Sequence, residues 1–192
     1  GVISWFLGVW GFSATILAII CAWAYSAEPI RLKRFGVIGP SLVALCYEGL
    51  PWFTGVAILT SGFPQAHIIF VAAIYAFGAF GIMTLNDFKA IEGDTKMGIK
   101  SLPVQLGLRT AGIIACSVMI LAQIIIIIFF FFTNIQVVSA TICVLLILQI
   151  MAMFKMMKNP RKLVPWYNGT GVLLYVLGMM ITAIGLNFLG NI

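Results

Sequence analysis

Residues 65–94 read QAHIIFVAAIYAFGAFGIMTLNDFKAIEGD, a stretch in which a long apolar segment runs directly into a polar, acid-rich one. The apolar part, 65–86, is long enough for a membrane-spanning helix, which needs roughly 20 such residues. The acid-rich part carries Asp87, Glu92 and Asp94, three of the five acidic residues in the chain. The stretch therefore predicts a spanning helix that ends in a cluster of carboxylates at one membrane surface.

The composition of the whole chain supports the same fold class. Hydrophobic residues make up 62% of the 192 residues and charged residues 8%, whereas a soluble domain carries roughly 25% charged residues. This balance excludes soluble folds and, with them, nucleic-acid-binding modules. Continuous apolar runs such as 124–132 lack the alternation of barrel strands, so strands are not expected. We predict an all-α, polytopic transmembrane helical bundle.

Six apolar segments are long enough to span a membrane. We predict spans at 2–27, 36–59, 65–86, 111–132, 136–157 and 166–188, joined by connections at 28–35, 60–64, 87–110, 133–135 and 158–165. The first segment is longer than one span needs, so we expect a bend at 8–11 and the tail of a preceding helix over residues 1–8. Because the chain begins inside an apolar run without Met, we expect residues 1–192 to form a single transmembrane domain that lacks an N-terminal portion.

The basic residues mark one side of the membrane. In chain order, the five connections and their flanks hold 3, 0, 4, 0 and 4 Lys or Arg residues, which accounts for all 11 in the chain. Cytoplasmic loops carry an excess of Lys and Arg. We therefore predict that the first, third and fifth connections, and with them the acid-rich segment, face the cytoplasm.

The acid-rich segment is the first candidate site. If the helix continues through it, seven residues at 100° each would place Asp87 and Asp94 on one face. Mg²⁺ is usually bound by one or two carboxylates together with substrate phosphates. We therefore predict Asp87 and Asp94 as metal ligands, with Asn86 and Glu92 beside them. A solvated polar loop, neutralised by neighbouring lysines, is the open alternative.

A basic segment is predicted on the same side. Residues 25–34 read YSAEPIRLKR and carry Arg31, Lys33 and Arg34. Arginine offers bidentate hydrogen bonds to a phosphate and lysine a compact positive charge, so the cluster suits a diphosphate next to Mg²⁺. The open alternative is a topology determinant that touches anionic lipid headgroups.

Glu48 is an acidic residue in the middle of a predicted span. It lies in the segment CYEGLPWFTG, residues 46–55, and an acid at a helix centre costs about 2.5–3.5 kcal/mol on insertion scales. Pro51 interrupts the local helix hydrogen bonds. We interpret Glu48 either as a substrate-facing carboxyl or as an acid held in a structural kink. The aromatic residues Tyr25, Tyr47 and Trp52 could line the same cavity or simply pack in the bundle.

Three of these segments together resemble a known family. The stretch from Asn86 to Asp94, followed by Gly98 and by SLPVQLG at 101–107, resembles the second aspartate-rich motif of UbiA-type intramembrane prenyltransferases. Residues 25–33 and 47–55 resemble two further segments of the chlorophyll and bacteriochlorophyll synthase branch of that family, in the same order.

The resemblance implies both a fold and an activity. It implies nine helices around a central cavity, of which the six spans here would be the last six, and two aspartate-rich motifs that hold Mg²⁺ and a prenyl diphosphate. The first motif, of the Asn-Asp-x-x-x-Asp type, is not found in the 192 residues. The implied reaction transfers a geranylgeranyl or phytyl group from its diphosphate to the propionate carboxylate of (bacterio)chlorophyllide. The implied location is the inner or photosynthetic membrane of a bacterium.

The resemblance also implies roles for individual residues. Asp87 and Asp94 would be the catalytic metal ligands, and the residues that bind substrate would be Lys33, Arg34, Arg31, Tyr25, Glu48, Tyr47 and Trp52. The implied partners are the two substrates, membrane lipid and other membrane proteins of pigment biosynthesis or photosynthesis. Two other functions stay open: a non-catalytic, truncated relative that binds pigment or packs in a photosynthetic complex, and a small transporter that uses Glu48.

Overall fold

The computed structural model describes residues 8–189, and nearly all of this range is helical. Residues Leu45–Gly49 form a π-helical turn that joins the helix Ile38–Ala44 to the helix Leu50–Thr60, so that these two helices make one span. Six segments are long and apolar enough to cross a membrane, which confirms the predicted helical bundle of six spans. The helices are α1 Gly8–Ser26, α2 Ile38–Ala44, α3 Leu50–Thr60, α4 Ala66–Asn86, α5 Ile91–Lys96, α6 Leu102–Phe132, α7 Gln136–Lys158 and α8 Pro160–Leu189.

Several helix boundaries differ from the predicted spans. The helix α6 begins at Leu102 rather than at 111, and it is kinked at Gly107, where φ is +77°. The predicted connection at 158–165 is wrong, because only Asn159 separates α7 from α8. Hydropathy detects only the apolar part of a helix, whereas these helices extend beyond it. Proline is also favourable at the first position of a helix, where its missing N–H is not needed.

The bend expected at 8–11 is limited to Gly8. Gly8, the first residue of α1, has φ of +84°, and α1 is a regular helix from Val9 onward. The helix tail expected over residues 1–8 lies, apart from Gly8, outside the described residues.

The helix α4 packs closely against α6 and α8 because two glycines lie at its contacts. A Cβ at Gly81 would meet the backbone carbonyl oxygen of Ala115 in α6, and one at Gly78 would meet the hydroxyl of Tyr175 in α8. Small residues of this kind allow membrane helices to approach at backbone distance. The position of α4, which leads into the acid-rich segment, is therefore set by its two neighbours.

Buried polar side chains tie the last three spans together. The Gln123 amide of α6 donates to Gln149 Oε1 of α7 at 2.5 Å, and the Gln149 amide donates to the Tyr167 hydroxyl of α8 at 2.9 Å. All three residues are fully buried. Interhelical hydrogen bonds inside a membrane contribute about 0.6–2 kcal/mol each, so this network fixes the register of α6, α7 and α8.

A short pair of strands was not predicted. The strand β1, Phe35–Gly36, pairs in parallel with β2, Lys100–Ser101. A Cβ at Gly36 would meet the Lys100 carbonyl oxygen and would lie 3.0 Å from the Leu102 nitrogen. The absence of a side chain at Gly36 therefore allows the first connection to lie against the end of the acid-rich segment.

The three basic connections lie at the same end of the bundle. The strand pair joins the first to the third, and Arg161 Nη2 in α8 donates to Glu92 Oε1 at 2.5 Å, which joins the third to the fifth. Phe63 belongs to the uncharged connection at 60–64, and its ring centroid lies 4.9 Å from that of Trp10. Trp10 is near the start of α1, whereas the first basic connection follows the end of α1, so Phe63 lies at the opposite end of the bundle. The predicted alternation of the connections agrees with this arrangement.

The strand pair makes a stability prediction. Gly36→Ala should destabilise the protein by about 1–3 kcal/mol, because the added methyl group forces β1 away from β2. Gly55→Ala is the matched control, since a Cβ there meets nothing within 4 Å. Thermal unfolding of the two detergent-solubilised variants would measure the difference. Equal melting temperatures would show that the strand pair does not support the fold.

Candidate functional site

A cavity of about 480 Å³ opens at the basic end of the bundle. It lies between α1, the first connection, the α2–α3 span, the end of α4 and the acid-rich segment. We call it the acidic cavity. Its polar lining consists of Tyr25, Lys33, Tyr47, Asn86, Asp87, Asp94 and Ser101. The structure therefore brings together residues from three segments that the sequence singled out separately.

Asp87 and Asp94 both line the acidic cavity, but they do not share one helix as predicted. The helix α4 ends at Asn86, Asp87 begins a single 3-10 turn, and α5 starts only at Ile91. Ala90 has φ of −100° and ψ of −2° and so turns the chain between the two aspartates. The prediction of a continuous helical face is wrong, and the turn brings the two carboxylates to the cavity instead.

Asp94 is held in place by the second strand. Its side chain is buried, with 8% of its surface exposed, and Ser101 Oγ donates a hydrogen bond to Asp94 Oδ2 at 2.7 Å. Because Ser101 belongs to β2, the strand pair also orients this carboxylate.

Glu92 is not part of this arrangement. Its carboxylate accepts from Arg161 at the surface, and both side chains are largely exposed. Glu92 is also absent from the lining of the acidic cavity. The expectation that Glu92 stands beside the two aspartates is therefore wrong, because its side chain is directed to Arg161 in the first turn of α8.

Asn86 has a partner that sequence reasoning missed. Asn86 lines the cavity, and its Oδ1 accepts a hydrogen bond from Asn168 Nδ2 of α8 at 3.0 Å. The Oδ1 atom of Asn168 is buried without a hydrogen-bond partner in the described residues. Asn168 lies near the start of the long apolar span predicted at 166–188. Its amide is a polar group in that span, but nothing in the sequence indicates which helix it contacts.

Of the three predicted phosphate-binding cations, only Lys33 lines the acidic cavity. Arg31 Nη1 and Arg34 Nη2 both donate to Glu28 Oε1, at 2.9 Å and 2.6 Å. The expectation that Arg31 and Arg34 face the site does not match this arrangement. Glu28, which is close in sequence, binds both guanidinium groups. Lys33 is therefore the basic side chain that lines the acidic cavity.

A second cavity, of about 940 Å³, lies between the α2–α3 span, the start of α4 and the end of α8. Glu48 and Trp52 line this second cavity, whereas Tyr25 and Tyr47 line the acidic one. The Trp52 ring stacks nearly parallel to that of Tyr75, with 5.8 Å between ring centroids. The residues predicted to bind substrate are therefore divided between two cavities.

The acidic cavity contains two carboxylates that could take part in binding a metal ion. Within residues 8–189, no group of three or more His, Cys, Asp or Glu side chains could hold a metal ion. Mg²⁺, however, commonly takes one or two protein carboxylates and completes its shell with water and substrate phosphates. Asp87 and Asp94, with Lys33 nearby, fit an ion of this kind that binds together with an anionic ligand.

Comparisons with known proteins identify related sequences. Residues 1–175 match the model of the UbiA prenyltransferase family. The chain is 55% identical over 181 residues to the bacteriochlorophyll synthase 33 kDa chain of Cereibacter sphaeroides, which covers 94% of this chain and 60% of that protein. It is 54% identical over 188 residues to the protein of the same name from Rhodobacter capsulatus, with 95% and 61% covered.

More distant relatives include a chloroplastic chlorophyll synthase of Oryza sativa subsp. japonica. That protein is 31% identical over 166 residues, which cover 86% of this chain and 44% of the relative. No solved structure matches the chain. The chain thus spans about three-fifths of the length of the two bacterial relatives.

The lining of the acidic cavity predicts unequal roles for two neighbouring cations. Lys33→Ala should weaken the binding of inorganic diphosphate in the presence of Mg²⁺ by about ten-fold, the usual effect of losing one charged hydrogen bond. Arg34→Ala should have a smaller effect, because Arg34 is bound to Glu28. Calorimetric titration of the purified chain would measure both. Equal losses would show that Arg34 also reaches the ligand.

Proposed function

Since the chain belongs to the UbiA prenyltransferase family, we propose that it catalyses the transfer of a geranylgeranyl or phytyl group to (bacterio)chlorophyllide at the acidic cavity. In this reaction the bond between the prenyl C1 and the diphosphate oxygen breaks, and the diphosphate leaves with the electron pair. The propionate carboxylate of (bacterio)chlorophyllide forms the new ester bond to C1. The observation that carries the proposal is the convergence of Asp87, Asp94 and Lys33 on one cavity.

The carboxylates and the lysine have complementary tasks in this proposal. Members of the family use divalent metal ions, and we propose Mg²⁺, held by Asp87 and Asp94. The bound ion would neutralise negative charge on the departing diphosphate. Lys33 would bind the same diphosphate through its ammonium group, and Ser101 would keep the Asp94 carboxylate aimed into the cavity. These side chains would together orient the leaving group.

The protein need not supply a nucleophile, because the carboxylate of the second substrate attacks C1. Val43, Tyr47 and Met83 are among the residues that line the acidic cavity. These apolar and aromatic side chains would keep water from the electron-poor C1 atom, which would otherwise be hydrolysed. This arrangement supports transfer to a carboxylate over transfer to water.

The chain is an integral membrane protein. We propose that residues 1–192 act as one transmembrane domain in a bacterial inner or photosynthetic membrane, with the acidic cavity open to the cytoplasm. We also propose that Asp87 and Asp94 form one half of the metal site and that a first aspartate-rich motif forms the other. Such a motif is not found in the 192 residues. The active enzyme would therefore need that motif together with this domain.

The proposal can be tested in a chimera in which this chain replaces the matching part of the Cereibacter sphaeroides relative. Asp87→Asn or Asp94→Asn should lower the rate of prenyl transfer by about 10²–10³, the usual cost of one well-placed electrostatic contact. Glu92→Gln is the matched control, since Glu92 lies outside the cavity, and its effect should be much smaller. The rate of ester formation, measured by chromatography, gives the comparison, and circular dichroism checks the helix content.

Two outcomes would contradict the proposal. One is full activity of the Asp87→Asn chimera. The other is an active 192-residue chain, since two carboxylates would then suffice without the first motif. If the parent chimera makes no ester although it folds, the non-catalytic, pigment-binding alternative would be favoured instead.

The proposed orientation makes a separate prediction. In a variant whose native cysteines are replaced by alanine, a cysteine at Lys96 should react with an impermeant maleimide only after spheroplasts are permeabilised. A cysteine at Gly62 should react in intact spheroplasts, because 60–64 contains no Lys or Arg and lies at the opposite end. Labelling of both positions from the same side would contradict the topology.

A further inference from the structure

The second cavity contains one carboxyl group, that of Glu48, in a lining that is otherwise largely apolar. Glu48 lies in the π-helical turn Leu45–Gly49, and such turns are rare and frequently occur at functional sites. No hydrogen bond or ion pair within residues 8–189 reaches the Glu48 carboxyl group. An acid in the middle of a membrane is costly and normally has a cationic or polar partner. The structure therefore provides a carboxyl group that has no such partner among the described residues.

The shape of the second cavity indicates the kind of ligand that would bring this partner. Its volume of about 940 Å³ lies near the top of the usual range for ligand sites, about 300–1,000 Å³. Trp52 offers a flat aromatic surface that is braced by its stack on Tyr75. Leu59, Phe63 and Leu186 add apolar surface. A large, flat, apolar molecule with one electropositive centre would suit both this lining and Glu48.

The distance between the two cavities can be estimated along α4. A Cβ at Gly49 would lie 3.5 Å from the Cβ of Ala76, so Glu48 lies near the level of Ala76. Asp87 follows Ala76 by eleven residues, which corresponds to about 16 Å at 1.5 Å per residue. A metal ion, a diphosphate, the reacting carbon and the propionate arm of a macrocycle would together fill this separation.

We propose that the Glu48 carboxylate is an axial ligand of the central magnesium of the tetrapyrrole substrate. This inference rests on the proposed function, which supplies a substrate with such a metal. Mg²⁺ prefers oxygen ligands, and the macrocycle leaves its axial positions free. Coordination gives the membrane-embedded carboxylate a cationic partner. It also holds the ring in the second cavity, with its propionate directed toward the acidic cavity.

His67 is the competing ligand in the same cavity, and its position argues against it. It lies in the first turn of α4, twenty residues before Asp87, which corresponds to about 30 Å. A macrocycle whose magnesium was bound there would hold its propionate far from the diphosphate. Glu48 is therefore the ligand whose position is compatible with the proposed reaction.

The test compares magnesium-containing and metal-free forms of one pigment. The purified 192-residue chain in lipid nanodiscs is titrated with bacteriochlorophyllide and with bacteriopheophorbide, its metal-free counterpart, and chlorophyllide and pheophorbide are run in parallel. The wild-type chain should bind the magnesium form about ten-fold or more tightly than the metal-free form. Glu48→Ala should remove this preference by weakening only the magnesium form. The absorption bands that respond to axial ligation of the magnesium should change in the same variant.

Two further variants keep the result interpretable. Glu48→Gln keeps the size of the side chain but not its charge, so it should lose most of the preference while circular dichroism shows an unchanged helix content. His67→Ala removes the competing ligand and should leave the preference unchanged. If Glu48→Ala or Glu48→Gln weakens both pigment forms equally, Glu48 only shapes the cavity and the inference is wrong. Loss of the preference in His67→Ala would overturn it as well.

The failure of this inference can be told apart from failure of the proposed function. An active chimera without a magnesium preference at Glu48 would overturn only the axial-ligand assignment. If the chimera folds but is inactive, while the 192-residue chain still prefers the magnesium form, the proposed transfer reaction is wrong. The assignment of Glu48 as a magnesium ligand would then still hold.

Discussion

The hydrocarbon surroundings of the chain are the constraint on which the rest of the structure depends. With no water to satisfy backbone amides, the spans must be helical, and charged side chains are confined to the bundle ends or to cavities. The acidic cavity forms where α4 ends and the chain leaves the apolar region for the acid-rich segment. There the parallel pairing of Phe35–Gly36 with Lys100–Ser101 joins the basic connection to the acid-rich segment. Lys33 and Asp94 consequently line the same cavity.

Much of this arrangement could be predicted from the sequence. The span 65–86 differs by one residue from the helix Ala66–Asn86, because a long apolar run bounded by polar residues leaves few alternatives. The alternation of basic connections predicted which segments share one end. Asp87 and Asp94 were singled out because acidic residues are scarce in the chain. Each of these predictions depended on strong local signals, namely hydropathy, charge and composition.

What could not be predicted depended on contacts between distant segments or on local turn geometry. The turn at Ala90, rather than a continuous helix, brings the two aspartates together. Arg31 and Arg34 form ion pairs with Glu28, and Glu92 forms one with Arg161. A count of charged residues in each segment therefore does not predict which of them line the cavity. Asn168 reaches Asn86 across 82 positions of the chain. Charge and hydropathy patterns carry no information about such pairings.

The amide network between α6, α7 and α8 has a consequence for how the protein is assembled in the membrane. Gln149 of α7 donates to Tyr167 of α8 and accepts from Gln123 of α6, so its side chain has both partners only when all three helices are present. Only Asn159 separates α7 from α8. The connection is therefore too short to let α8 lie far from α7. We therefore expect the last three spans to assemble as one cooperative unit, because the Gln149 amide has no partner in α8 until that helix is inserted.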